Sequence, residues 1–188
     1  MLSSVLFLLS ASPLSANAGI PMLFVIYPGF LLTLIPVVFI EAFYIAKLWR
    51  DSSFKKIFIS VLSANLISTI IGVPLVWAAA VAIQMLFGGG AAHGIDTISG
   101  RLYAAVVQAP WLIPYEKAYA WLMPSAFTVL MIYFFLASWL TEYLTVYLFF
   151  KKVYDKKIII KTLFKANLIS YIFLYVCGLI YWAAPGFK

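Results

Sequence analysis

The chain has 188 residues, of which 65% are hydrophobic, 18% aromatic and only 10% charged, and its formal net charge is +7. A soluble domain carries about a quarter charged residues, and a chain this short cannot bury so much apolar surface away from water. The composition excludes an ordinary water-soluble domain and requires lipid as part of the solvent.

The chain opens with MLSSVLFLLSASPLSANAG. Its apolar core, Val5 to Leu9, is too short to span a bilayer. Pro13 follows, then Ala16, Asn17 and Ala18, which is the pattern of a secretory signal with small residues at the cleavage site. Residues 1–18 are expected to be a signal peptide cut after Ala18, although no Lys or Arg precedes Lys47. Four apolar stretches follow, at about 22–46, 57–86, 119–150 and 158–184. Each is long enough to cross a bilayer, which takes roughly 20 helical residues. The expected fold is an all-α membrane protein of four transmembrane helices.

The first and second stretches are joined by KLWRDSSFKK, with Lys47, Arg50, Lys55 and Lys56. After the second, Gly88, Gly89 and Gly90 break the helix and open loop 87–118. Its middle, about 101–114, is apolar and aromatic but interrupted by Pro110 and Pro114. It reads as an interfacial or re-entrant segment with Trp111, Tyr115 and Trp121 at headgroup depth. His93 and Asp96 make no metal site, because zinc sites use three or four ligands. The third and fourth stretches are joined by KKVYDKKIIIK, with five Lys between Lys151 and Lys161. The lone Cys177 lies in the fourth stretch and has no disulfide partner.

Short loops rich in Lys and Arg stay cytoplasmic. Loops 47–56 and 151–161 are therefore expected inside, and loop 87–118 and the C-terminus outside, in a cell inner membrane. The basic residues flank spans instead of lining a nucleic-acid-binding face. They are placed to meet anionic lipid headgroups, at about 1 kcal/mol each near the surface. Other membrane proteins, or a second copy of the chain, are the remaining expected partners.

One pattern runs through both halves. IEAFYIAKLWRDSSFKKIFISVLSANLIS aligns with TEYLTVYLFFKKVYDKKIIIKTLFKANLIS, which sets Glu41 opposite Glu142, a basic turn opposite a basic turn, and Asn65 opposite Asn167. Trp77 and Trp182 follow in the same order. The chain reads as a duplicated helical hairpin, 19–86 and 119–188, around outer loop 87–118. Both copies run the same way, so a pseudo-two-fold axis would lie along the membrane normal. Glu41 lies roughly 9 Å, and Asn65 roughly 12 Å, from the inner surface at 1.5 Å of rise per residue. Glu41, Asn65, Glu142 and Asn167 thus form a candidate intramembrane polar site. One reading is structural: Asn can bond a neighbouring helix, and a Glu so near the interface can snorkel toward Lys. The other is a proton, cation or lipid site, because ionisable groups inside a membrane commonly mark pathways and relays.

No enzyme is expected, and no cofactor. There is no HExxH, no second His as a base and no Ser elbow. A paired-carboxylate hydrolase needs two carboxyls at close range, and nothing in the sequence forces Glu41 and Glu142 together.

The segment IPVVFIEAFYIAKLW followed by SANLISTIIGVPLVW resembles the FraC-type filament-integrity membrane proteins of cyanobacteria, over about 36–77. Glu41, Asn65, Ser68 and Gly72 carry the likeness as structural markers. The second hairpin and the signal segment depart from it. The resemblance implies a role in membrane or cell-junction organisation. The expected function is a non-enzymatic multi-pass membrane subunit or scaffold acting through helix–helix contacts. The alternative is a small oligomeric transporter or channel for protons or cations.

Overall fold

A computed structural model describes residues 32–87, 95–108 and 122–183. The signal segment, the glycine run, His93 and the stretch with Pro110, Trp111, Pro114, Tyr115 and Trp121 lie outside the described residues. Within them every regular element is helical: α1 Leu34–Leu48, α2 Phe54–Phe87, α3 Ile98–Tyr103 running into a π-helical turn Ala104–Gln108, α4 Leu122–Phe150 and α5 Lys156–Ala183.

Three helical segments, Phe54–Phe87, Phe127–Phe150 and Lys156–Ile180, are long and apolar enough to cross a membrane. Half or more of each apolar stretch faces outward. Side chains such as Ile70, Leu144 and Ile172 stand exposed along them, an arrangement that lipid tolerates and water does not. The chain is a membrane-embedded helical protein. The described part of α1 has 15 residues, and the expected first span extends back beyond it.

The helix ends follow local chemistry. In α1, Pro36 falls in the first turn, where no intrahelical N–H is lost. Lys47 sits in the last turn, where the helix dipole favours a cation. The Trp49 N–H closes that helix on the Ile45 carbonyl at 2.8 Å, and Ile57 N–H starts the next on Ser53 O at 3.1 Å. The second basic turn is built likewise, with Lys151 N–H on Tyr147 O at 2.8 Å and Ile159 N–H on Asp155 O at 3.0 Å.

The chain divides into two compact units. One takes in Ala79–Leu130. There Thr97, in extended backbone, caps α3 by accepting from Gly100 N–H at 3.1 Å. The helix therefore starts at Ile98, a little before the expected 101, because the sequence reading overlooked that cap. Tyr103 Oη donates to the Phe87 carbonyl at 2.6 Å, satisfying a group at the end of α2 that has no partner within its own helix.

The other unit comprises Gly29–Ala78 and Met131–Lys188, and in it α1 packs against α5. Its core recurs along the chain at an offset of 101 residues before the basic turn and 102 after it. Ala42 and Ile45 of α1, and Trp49 just after it, are matched by Tyr143, Val146 and Phe150 of α4. Ile57, Val61 and Ala64 of α2 are matched by Ile159, Leu163 and Ala166 of α5. Two matched pairs also touch: the Trp49 and Phe150 rings lie 5.0 Å apart, and Ser52 Oγ lies 3.1 Å from Tyr154 Oη.

Candidate functional site

The segment Ala-Asn-Leu-Ile-Ser occurs at 64–68 on α2 and at 166–170 on α5. On a helix, residues three or four apart share a face. Ala, Asn and Ser accordingly turn inward and are buried in both copies, while Leu66, Ile67, Leu168 and Ile169 point outward. Alanine keeps the backbones close, and Asn and Ser present donors to whatever lies opposite.

Opposite them are the two glutamates. Asn65 Nδ2 donates to Glu41 Oε2 at 2.8 Å, and Asn167 Nδ2 donates to Glu142 Oε2 at 2.7 Å. Each amide also reaches its own helix, at Val61 O (3.1 Å) and Leu163 O (3.3 Å), which fixes its orientation. The serines cross over. Ser170 Oγ donates to Glu41 Oε1 at 2.6 Å, and Ser68 Oγ donates to Glu142 Oε1 at 3.1 Å. Each carboxyl thus accepts from the Asn of its own hairpin and from the Ser of the other. The two carboxyls belong to one buried hydrogen-bonded cluster, joined from Glu41 through Asn65 and Ser68 to Glu142 and from Glu142 through Asn167 and Ser170 to Glu41. Glu41 is 1% exposed and Glu142 2%, so neither snorkels.

The structure therefore brings all four sequence-predicted residues together and adds Ser68 and Ser170. The signal for the serines was present, since the i, i+3 spacing in the repeated segment puts Ser on the Asn face. The closeness of Glu41 to Glu142 had no such signal, because it depends on how the hairpins pack.

Among the described residues, every hydrogen-bond donor to the carboxyls is neutral. Two ionised carboxylates side by side in an apolar interior repel strongly, and burying charge without a partner is costly. The arrangement suits a group that brings positive charge, a proton or a small cation. Within the cluster, Asn167 Oδ1 is buried without a donor among the described residues.

A cavity of about 30 Å³ adjoins the cluster. Glu142, Asn65 and Ser68 line it, with Thr33, Ser138 and Tyr171 beyond. Ser138 Oγ and Tyr171 Oη are hydrogen-bonded at 2.8 Å. On the opposite side, toward the basic turns, the cluster meets the apolar layer of Ala42, Ile45, Trp49, Val146 and Phe150. No group of His, Cys, Asp and Glu among the described residues forms a metal-binding set of three.

Comparison with protein-family models, curated proteins and solved structures finds no match to this chain.

Proposed function

We propose that the chain is a non-enzymatic, multi-pass membrane protein whose polar centre binds a proton or small cation, and that it works as a transporter or channel subunit in an oligomer. One observation carries this: two buried carboxyls face each other with neutral donors alone around them. A glutamine could keep these neighbours without charge only if each serine hydroxyl turned to accept from its amide and donated to its own helix carbonyl, for which Ser68 and Ser170 are placed; packing therefore does not by itself demand a carboxylic acid in both places. A cavity of about 30 Å³ suits water or an ion and is too small for a peptide, which speaks against a paired-carboxylate hydrolase.

In this reading the chain has four spans, with α1 continuing the first, arranged as two parallel hairpin repeats. Supporting it are the recurrence of the core residues at offsets of 101 and then 102, the reciprocal Asn and Ser bonds, and the meeting of equivalent residues Trp49 with Phe150 and Ser52 with Tyr154. Residues related by a two-fold axis touch only on that axis. The basic turns face the cytoplasm of an inner membrane and anionic headgroups there.

A second reading has one observation in its favour. The crossed serines tie the two hairpins together, as a structural subunit or scaffold would need, and the FraC-like stretch implies such a role. Ion and proton flux in proteoliposomes separates the two. Flux in the wild type, lost in the folded Glu41→Gln, Glu142→Gln variant, is the expected outcome. Absence of flux in a stable wild-type protein leaves the scaffold.

A further inference from the structure

We infer that the centre holds a single proton shared between Glu41 and Glu142, and that water reaches it only from the side of Thr33, Ser138 and Tyr171. This rests on the reading of the centre as a proton or cation site and specifies its occupant.

Two features favour a proton over a metal cation. First, the two carboxyls are drawn into one buried cluster by donors that bridge them on both sides, Asn65 with Ser68 and Asn167 with Ser170. A hard cation between them would hold oxygens at about 2.0–2.6 Å on either side of itself and spread them apart. A proton needs no such gap, and paired buried carboxyls share one for that reason. Second, all four carboxyl oxygens already accept a donor, from Asn65, Ser170, Asn167 and Ser68. A cation would compete with each of these hydrogens.

Access is asymmetric. Glu142 lines the cavity and Glu41 does not. The cavity's volume of about 30 Å³ exceeds the roughly 10–15 Å³ that one water needs. A hydrated proton there gives its proton to a Glu142 carboxylate oxygen and leaves water behind. Glu41 shares that proton through the carboxyl–carboxyl hydrogen bond, and no other bond changes. Toward the basic turns, Ile45 and Phe150 are fully buried and Trp49 stacks on Tyr154 at 4.5 Å, closing that side.

The titratable groups facing the pair can be named by helix. On α5 it is Tyr171, engaged with Ser138. On α4, Tyr143 lies in the apolar layer. Helix α2 presents only Asn65, Ser68 and Thr69. The described acids elsewhere, Asp51, Asp96 and Asp155, are all in loops.

The test is infrared difference spectroscopy on the purified full chain in lipid nanodiscs at neutral pH, with sodium, potassium or neither. We expect a protonated-carboxyl carbonyl band that shifts in deuterated water, ignores both cations and disappears in Glu41→Gln, Glu142→Gln. If the double variant does not fold, each single Glu→Gln variant should still alter the band. Absence of the band, carboxylate bands that move with sodium or potassium, or a band unchanged in both singles would overturn the shared proton. A cation-sensitive result would do so while leaving the cation reading standing, whereas absence of flux in the wild-type protein would strike the transport reading and spare the shared proton. For access, in a Cys177→Ala background, Thr33→Cys and Ser138→Cys should react with a small water-borne thiol reagent, and Ile45→Cys and Val146→Cys should not. Labelling of the second pair overturns one-sided access.

Discussion

At the scale of single residues, the centre is a closed set of donors on two acceptors, so each donor has a measurable worth. Removing one leaves a carboxyl oxygen short of a partner in a region without bulk water. Asn65→Ala, Asn167→Ala and Ser170→Ala should each cost about 1–2 kcal/mol, read as loss of thermal stability in detergent. Asn65 and Ser170 both donate to Glu41, so their double variant should depart from additivity by about 0.5 kcal/mol or more. Strict additivity would mean that Glu41 does not couple them. Much of this cluster was legible in the sequence, because Glu, Asn and Ser recur in order and helical periodicity fixes their shared face. The crossing of the serines to the other hairpin was not, since residues far apart in the chain meet only when helix packing is decided. The burial of both Glu side chains was open for the same reason. Depth along a helix can be counted from sequence, but rotation about its axis toward a partner cannot.

At the scale of elements, the helices were read from length and hydrophobicity, and their ends from basic turns. The glycine in α2 shows that residue type alone does not define a helix contact. Gly72 stands in a membrane helix, where glycine commonly marks close helix contact, yet a Cβ built there meets nothing within 4 Å. Gly72→Ala should therefore be neutral or stabilise by about 0.5–1 kcal/mol, and a marked loss of thermal stability would reveal a close contact there. The layer that closes the site toward the basic turns makes a second case. Trp49 is buried, but its indole Nε1 has no partner. Trp49→Ala should cost about 3–5 kcal/mol through the cavity it opens. Trp49→Phe deletes the unpaired N–H along with some bulk, and we expect it to stay within about 1–2 kcal/mol of wild type. Equal damage from both substitutions would show that the N–H is not a liability.

At the scale of the whole molecule, charge outside the helices and carboxyls inside them do different jobs. The Lys-rich turns are exposed and are expected to orient the chain, with Ser53→Cys labelled from the cytoplasm and Ser99→Cys from the opposite side in a Cys177→Ala background. Labelling of both from one side would remove the proposed topology. The crossed serines reach further than orientation. Ser170 completes the shell of Glu41, and Ser68 completes that of Glu142, so neither hairpin owns a finished site. If the gene is split within loop 87–118, each fragment made alone should be degraded in the cell. Made together, the fragments should rescue one another by trans-complementation. Ser68→Ala in one fragment and Ser170→Ala in the other should weaken that rescue, even though each change sits far in sequence from the carboxyl it serves.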